Sequence, residues 1–387
     1  MKEYEYFVDR LPGAGDVIKN RLIEYYGNAG EVYNAFLSED KGIEDAVRMV
    51  KSNFNHTIPD VIKWARTYDL SREYAKLETG GIVFLTTEDE RYPQRLTELD
   101  LPPYALYAKG HIPEDDVPAV AIIGARDCSE YGTFVADSFG EALAHEGINI
   151  ISGMARGIDG ISQRGALKAG GKTYAVLGNG VDICYPSRNI NLYKEIQEKG
   201  GILSVFPPGT QPMKTLFPQR NKIVAALADM VLVIEARQKS GTSITVDLAL
   251  KMGKDVYAVP GRLTDRLSDG CNVLIRDGAG VALSPEDVLR ELAVIWSKRN
   301  PGNECITQKS IGKLDLKKPK EDTGVLKYLD FTPQSIETIH QLRLAQEKDV
   351  TISQTMSELV MLCIEGRAVQ IGTDYFYKTA PNTVWGY

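Results

Sequence analysis

The chain has 387 residues, with 45 Lys and Arg against 52 Asp and Glu and a formal net charge of −7. Hydrophobic residues make up 43% and charged residues 25%, which is ordinary for a globular protein and excludes a mostly disordered or fibrous chain. The length predicts two or three domains, since a domain averages about 150 residues.

Nothing in the sequence points to a membrane, a disulfide framework or a metal site. The N-terminal residues lack the apolar stretch of a signal peptide, and no run reaches the roughly 18 apolar residues of a membrane helix. The five cysteines form no CxxC pair, and none of the four histidines lies at a known metal-ligand spacing. We therefore expect a cytoplasmic protein with no membrane contact, no metal and no cofactor.

Residues 1–75 predict a small helical module, SAM-like or helix-hairpin-helix-like. Apolar side chains recur at spacings of three and four, as in Leu22, Ile23 and Tyr26. A Gly-rich turn at 12–15 precedes this pattern, and Asp16 is expected to cap the helix that follows. Such a turn can bind a DNA backbone, but for a single copy a plain packing turn is the simpler interpretation.

Residues 80–296 predict a doubly wound α/β sheet. Short apolar runs without alternation are typical of strands buried on both faces. The strands are expected at 119–123, 148–151, 173–177, 202–205, 230–234 and 256–259. The helices between them are expected at 134–145, 161–169, 222–228 and 245–252. Because strands and helices alternate, the strands should be parallel, with helices on both faces.

The C-terminal part predicts a linker followed by a small domain. Residues 297–324 are rich in Lys, Pro and Asn and carry almost no periodic apolar pattern, as linkers do. Residues 325–387 predict two helices and then a hairpin with its turn at 372–374, a winged-helix-like order. The second helix has few basic residues, so we expect a protein-contact or auxiliary role for this domain.

Candidate binding residues follow the predicted strands, because ligands of an open parallel sheet bind beyond the carboxyl ends of its strands. Arg or Lys occurs at five positions in these stretches, at Arg126, Arg156, Arg237, Lys239 and Arg262. Glycines in the same stretches let an anion approach backbone amides, and helix N-termini add partial positive charge. Each stretch alone fits a tight turn or a solvated side chain. Together, several cationic loops along one edge suit a long polyanion better than a single nucleotide.

The segment 214–222 adds an aromatic residue to this edge. Phe217 lies between Lys214 and Arg220 in the sequence, and Pro218 holds it extended. A phenylalanine beside phosphate-binding groups offers a face on which a base can stack, whatever the base. Phe217 could equally fill the core beneath the loop, and the spacing does not decide between the two.

Catalysis is poorly supported, because loop residues offer no Ser-His or Cys-His arrangement. Asp159 and Glu235 could form a carboxylate pair. Asp159 is, however, well placed to cap the helix that begins near Gly160, and Glu235 to pair with a neighbouring arginine. We therefore expect no catalytic residues.

Several motifs between residues 80 and 290 stand in a recognisable order. They are Gly124-Ala125-Arg126 with Ser129, Ser152-Gly153-Met154-Ala155-Arg156-Gly157-Ile158-Asp159, Gly178-Asn179-Gly180-Val181-Asp182 with Tyr185-Pro186, Phe217-Pro218-Gln219-Arg220-Asn221, Ser240-Gly241-Thr242, and Val259-Pro260-Gly261. This set resembles the DNA-processing protein A family (DprA, also called Smf) of bacterial natural transformation. The N-terminal helices and the C-terminal domain fit the family's usual flanks less specifically.

The resemblance implies a non-enzymatic protein that binds single-stranded DNA in a groove of an extended Rossmann domain. It also implies a homodimer that loads the RecA recombinase onto incoming DNA, displacing or accompanying single-strand-binding protein. Arg126 and Lys214 would then contact phosphates, and Phe217 would stack a base. The other groove residues implied are Gly124, Ser152, Gly153, Arg156, Arg220, Asn221, Lys222, Ser240, Gly241 and Thr242.

Three positions depart from the family pattern. Gln163 stands where the family often has histidine, Val205 where a glutamate is common, and Lys222 where the family has a second arginine. The first two changes remove side chains that could serve in catalysis, which favours binding over catalysis. The alternative is a nucleotide-binding enzyme related to lysine-decarboxylase-like phosphoribohydrolases. Those enzymes use a Pro-Gly-Gly-x-Gly-Thr stretch with a nearby glutamate, of which this chain has only Ser240-Gly241-Thr242.

Overall fold

The computed structural model describes residues 2–50, 56–299, 323–347 and 349–379. Helices form the N-terminal part, as the spacing of apolar residues predicts. They are α1 (Lys2–Arg10), α2 (Asp16–Tyr26), α3 (Ala29–Ser38), α4 (Gly42–Arg48), α5 (Ile58–Thr67) and α6 (Leu70–Thr79).

The role expected for Asp16 is wrong. Gly15 is the N-cap of α2, and Asp16 is its first helical residue. The Asp16 carboxylate instead accepts the backbone N–H of Tyr104 at 3.2 Å. This contact joins the helical part to the sheet region, which a local capping rule does not anticipate.

A buried polar cluster fixes the same helices against the sheet. The Lys19 ammonium of α2 donates to the Asp9 carboxylate of α1 at 2.6 Å, and the Tyr107 hydroxyl donates to the same carboxylate. All three residues are buried. Each charged group is therefore paired, which such burial requires.

A mixed α/β region follows. Six of its strands lie close to the predicted ranges, and its first two strands and its last were not predicted. They are β1 (Val83–Thr86), β2 (Ala105–Gly110), β3 (Ala119–Gly124), β4 (Asn149–Ser152), β5 (Thr173–Val176), β6 (Gly201–Ser204), β7 (Met230–Ile234), β8 (Asp255–Ala258) and β9 (Gly280–Val281). The helices are α7 (Gln94–Thr97), α8 (Glu130–His145), α9 (Ile158–Lys168), α10 (Ile190–Lys199), α11 (Leu216–Leu227), α12 (Gly241–Lys251), α13 (Asp269–Arg276) and α14 (Pro285–Arg299).

Within the described residues these strands form one nine-stranded sheet in the order β1-β2-β6-β5-β4-β3-β7-β8-β9. Strands β3 to β9 pair in parallel, which confirms the predicted α/β class. Strand β2 pairs antiparallel with both β1 and β6, so one edge of the sheet departs from the parallel prediction. Apolar side chains of α8, α9 and α14 pack on one face of the sheet. Those of α11, α12 and α13 pack on the other face.

The order of strands creates a switch point between β3 and β7. From β3 the chain proceeds outward through β4, β5 and β6, and then returns to β7 on the other side of β3. Helix α8 leaves β3 on one face and α12 leaves β7 on the opposite face. Such a divergence opens a crevice beyond the carboxyl ends of the two strands, which pair with Gly124 opposite Ile234.

Where the structure describes it, the C-terminal part contains two helices and a three-stranded antiparallel sheet in the order β10-β12-β11. After a 3-10 turn its elements are β10 (Gln334–Ser335), α15 (Ile336–Leu344), α16 (Ile352–Ile364), β11 (Ala368–Ile371) and β12 (Tyr375–Lys378). The helices and the hairpin lie where the sequence predicts them. Of the predicted linker, residues 297–299 end α14, and residues 300–322 lie outside the described part of the chain.

An aromatic contact joins this part to α8. The Phe331 ring lies 5.3 Å from the Phe134 ring and 6.1 Å from the Tyr131 ring, measured between centroids. Beside it, the Arg262 guanidinium donates to Thr332 at 3.0 Å and to the Asp330 carboxylate. One of the cations that follow the predicted strands is therefore paired with a carboxylate of the C-terminal part.

Candidate nucleic-acid interface

A cleft of about 570 Å³ lies at the carboxyl edge of the sheet, at the switch point between β3 and β7. Loops that follow β3, β4, β5, β6 and β7 all contribute to it. The predicted site residues that line it are Gly124, Arg126, Gly153, Lys214, Phe217, Arg220, Asn221, Ser240, Gly241 and Thr242. The sequence-separated cationic and glycine loops are thus brought together in one place.

Two glycines form the floor of the cleft because no side chain fits there. A β-carbon on Gly124 would overlap the carbonyl oxygen of Ile234, and one on Gly153 would overlap the guanidinium of Arg220. Gly124 therefore permits close packing of backbone at the switch point, and Gly153 permits the close approach of the Arg220 guanidinium.

Arg220 is buried beneath this floor rather than exposed in the cleft. Its Nη1 donates to the carbonyl oxygens of Gly153 at 2.6 Å and Val176 at 2.8 Å. Burial lowers the pKa of the Arg220 guanidinium, and the nearby Asp159 carboxylate opposes that change. Arg220 therefore ties together the loops that follow β4 and β5.

Asp159 does not cap α9, so that expectation is wrong. Gly157 is the N-cap and Ile158 the first helical residue. The Asp159 carboxylate accepts the backbone N–H of Gly153 at 3.2 Å. Burial raises the pKa of this carboxyl, while Arg220 acts to lower it. Asp159 and Arg220 thus hold Gly153 from two sides, one through its N–H and the other through its carbonyl.

Phe217 is the second residue of α11, so the extended backbone expected of it before Pro218 is wrong. Its half-buried ring lines the cleft. The Arg126 guanidinium is 5.6 Å from the ring centroid and that of Arg220 is 5.8 Å away, distances at which a cation is attracted to an aromatic face. A β-carbon on Gly178 would lie 2.8 Å from the ring, so a larger residue at this position would displace the ring. The centroid of Tyr185 is 5.9 Å from that of Phe217.

Hydrogen bonds to Glu235 hold the loop that carries Arg126. The Glu235 carboxylate accepts the backbone N–H of Ser129 at 2.8 Å and also its hydroxyl. Its backbone carbonyl accepts the N–H of Ala125 at 2.7 Å. The expected pairing of Glu235 with an arginine is therefore wrong. Burial raises the pKa of Glu235, and its hydrogen bonds to Ser129 oppose that change.

The N-terminus of α12 forms the opposite wall. Ser240 is its N-cap, and the Ser240 hydroxyl is buried without a hydrogen-bond partner among the described residues. Thr242 donates from its hydroxyl to the Gly124 carbonyl at 3.4 Å. The first N–H groups of a helix lack partners within the helix and attract anions. This wall therefore offers donors to a ligand in the cleft.

Three predicted site residues are placed elsewhere. Ser152 is fully buried and donates to the Ile122 carbonyl at 2.6 Å. Arg156 forms an ion pair with Asp127 on the surface. The Lys222 ammonium donates to the Leu101 carbonyl at 3.3 Å.

Tyr185 and Arg237 also line the cleft, although neither is among the groove residues that the resemblance implies. Arg237 lies three residues after β7 and is one of the cations that the strand-end rule selects. Tyr185 is an aromatic residue in the loop after β5, and the same rule, applied to aromatic side chains, would have included it.

The departures at Gln163 and Val205 do not line the cleft. Gln163 is buried in α9 and donates to the Tyr174 carbonyl at 3.1 Å and to the Thr173 hydroxyl at 3.2 Å. Val205 is half-buried after β6. In the described residues there is also no cluster of three or more His, Cys, Asp or Glu that could hold a metal. Among those residues no helix is both long and apolar enough to cross a bilayer.

A doubly wound sheet with a cleft of cationic and glycine loops at its switch point defines a Rossmann-like binding protein. The family model described as DNA recombination-mediator protein A matches residues 83–293. The chain therefore belongs to the DNA recombination-mediator protein A family.

Curated relatives agree with this assignment. The chain is 41% identical over 222 residues to the DNA processing protein DprA of Streptococcus pneumoniae, covering 57% of this chain and 77% of that protein. Over 230 residues it is 38% identical to the Protein Smf of Escherichia coli, covering 59% of this chain and 62% of that protein.

Two solved structures are similar in fold. The DNA processing protein A of S. pneumoniae has a TM-score of 0.62 at 33% identity and covers 75% of this chain and 98% of its own. That of Helicobacter pylori, described for its unique single-stranded DNA binding mode, has a TM-score of 0.50 at 33% identity and covers 55% of this chain and 97% of its own.

Proposed function

We propose that this protein binds single-stranded DNA in the cleft, without sequence preference, and acts as a recombination mediator. The observation that carries the proposal is the position of Phe217. Its half-buried ring lies among the cationic residues Arg126, Lys214 and Arg237, which are exposed on the same cleft. Phosphate-binding groups around an aromatic face are the arrangement by which proteins hold unpaired nucleotides of any sequence.

The state of the carboxylates favours binding over catalysis. Asp159 accepts a backbone N–H from Gly153, and Glu235 accepts from the N–H and the hydroxyl of Ser129. Both carboxylates are committed to holding loops and are buried. A general base must instead reach the proton that it removes.

Family membership and the binding mode described for the H. pylori relative support the same proposal. The proposal further states that the protein works in the cytoplasm as a homodimer. It would load RecA onto incoming DNA that is covered by single-strand-binding protein. The test is RecA ATPase activity on single strands coated with single-strand-binding protein. The proposal expects this protein to shorten the lag of RecA assembly, and an unchanged lag at saturating protein would contradict the mediator role.

Replacement of Arg126 by alanine is expected to weaken binding and flatten its salt dependence. Each phosphate neutralised on a single strand contributes a slope of about −0.7 to log K against log salt concentration. Loss of one contact should therefore reduce the slope by about 0.7. Fluorescence anisotropy with a labelled oligonucleotide between low and moderate salt measures both quantities.

Lys199→Ala is the matched control for charge. Lys199 ends α10, next to the start of β6 and so at the opposite edge of the sheet, and pairs with Glu195 at 3.0 Å. Its removal should leave the salt slope unchanged. If Arg126→Ala and Lys199→Ala had the same slope as the parent protein, the cleft would not be the phosphate site.

A further inference from the structure

The loop between β5 and α10 carries a large aromatic side chain that the core does not use. Tyr185 is 46% exposed and lines the cleft next to Phe217. The two ring planes are inclined by 31°, with centroids 5.9 Å apart. The two rings therefore form a tilted aromatic pair within the range of centroid distances at which aromatic rings interact.

This loop is rigidly held, although its outer surface is exposed. The Asn179 side chain donates to the Ile183 carbonyl at 2.7 Å, before Tyr185. After it, the Asn189 side chain donates to the Met154 carbonyl at 2.9 Å. Asn179 and Asn189 are both buried. Tyr185 is therefore presented to solvent by a loop fixed at both ends, so little conformational entropy is lost when a ligand packs on it.

Positive charge continues past Tyr185 along the same loop. Arg188 is exposed in the 3-10 turn Ser187–Asn189, three residues after Tyr185. Arg164 of α9 donates to the Asn189 side chain at 3.4 Å. Burial and then the charge of Arg188 lower the pKa of Arg164, whereas the charge of Glu195 acts to raise it. The loop that presents Tyr185 therefore also carries an exposed cation, Arg188.

We propose that the single strand continues beyond Phe217, with a second base stacked on Tyr185 and the following phosphate contacted by Arg188. This inference rests on the proposed function and extends its site. It assigns Tyr185 and Arg188 direct contacts with the polynucleotide, and it predicts that only oligonucleotides long enough to leave the cleft will reach Arg188.

The test measures affinity for unlabelled deoxythymidine oligonucleotides of about 4 to about 16 nucleotides in the full-length protein. Tyr185→Ala should weaken binding of the longer oligonucleotides by about 5- to 150-fold, the effect of one stacked base. Tyr185→Phe, which keeps the ring, should bind like the parent protein, whereas Tyr185→Leu should resemble Tyr185→Ala. Arg188→Ala should reduce the salt slope by about 0.7 for long oligonucleotides and leave it unchanged for the shortest.

A double replacement separates stacking from support of Phe217. If Tyr185 binds its own base, the effects of Tyr185→Ala and Phe217→Ala on long oligonucleotides should multiply. If Tyr185→Ala has no effect in the Phe217→Ala background, Tyr185 only supports Phe217 and the inference is wrong. Binding by the parent protein with no loss in Tyr185→Ala or Arg188→Ala would also overturn it, while leaving the proposed function intact. Absence of binding by the parent protein would instead overturn the proposed function.

Discussion

Replacement of Arg220 by methionine is expected to lower the free energy of unfolding by about 3 to 5 kcal/mol. The change leaves the carbonyl oxygens of Gly153 and Val176 without their buried donor. It also leaves the buried Asp159 carboxylate without the cation that acts to lower its pKa. Leaving buried acceptors without their donor, and a buried carboxylate without a nearby cation, costs far more than an exposed ion pair contributes. Chemical denaturation measures the change.

The pH dependence of this variant follows from Asp159. The pKa of its carboxyl is above the usual value in the native protein and rises further without Arg220. The folded state then binds more protons than the unfolded state, so stability falls as pH rises from the usual carboxyl pKa toward the native one. The destabilisation by Arg220→Met should therefore be smaller near pH 4, about the usual pKa of an aspartate carboxyl, than at pH 7.

Lys222→Met is the matched control on the same helix. Among the described residues its ammonium donates one hydrogen bond, to the Leu101 carbonyl at 3.3 Å, and this bond is exposed to solvent. We expect a change within about 0.5 kcal/mol. An Arg220→Met protein as stable as the Lys222→Met protein would show that Arg220 does not hold the floor of the cleft.

Replacement of Phe217 by alanine is expected to weaken binding of single-stranded DNA by about 5- to 150-fold. The basis is the free energy of one base stacked on an aromatic ring, about 1 to 3 kcal/mol. The half-buried ring has the Arg126 and Arg220 guanidinium groups 5.6 and 5.8 Å from its centroid and no β-carbon at Gly178 to displace it. Anisotropy titration at constant salt measures the loss.

Two further replacements decide between stacking and packing. Phe217→Leu keeps apolar volume in the first turn of α11 but has no π face, and Phe217→Trp keeps the face. If the ring stacks a base, the leucine variant should bind weakly and the tryptophan variant should bind like the parent. If the leucine variant binds as tightly as the parent while the alanine variant is unstable, Phe217 fills the core and does not contact DNA.

The sequence was sufficient for the fold class because buried parallel strands carry a strong local signal. The runs that became β3 and β7 are almost wholly apolar and buried on both faces. Strands β1 and β2 were not predicted, since they pair antiparallel at one edge of the sheet and no regular strand–helix alternation marks them. Local pattern thus predicts the interior of the sheet better than its edge.

The roles of individual charged residues were predicted less well. Asp16, Asp159 and Glu235 each stand at a position where a local rule assigns a cap or an ion pair. In the structure each accepts hydrogen bonds from a residue distant in sequence, or across a loop, to hold backbone in place. The partner of a carboxylate depends on tertiary packing, which sequence spacing does not contain. The same holds for Arg220, a cation whose buried guanidinium donates to the carbonyl oxygens of Gly153 and Val176, both distant in sequence.

The most direct test of the central claim is a competition experiment on the parent protein, with a labelled single strand bound in the cleft. Unlabelled single strands of unrelated sequence should displace it with equal affinity, duplex DNA of the same length should displace it poorly, and nucleoside monophosphates should not displace it. Displacement by a mononucleotide, or by duplex as readily as by single strands, would contradict a cleft built to hold an unpaired polynucleotide.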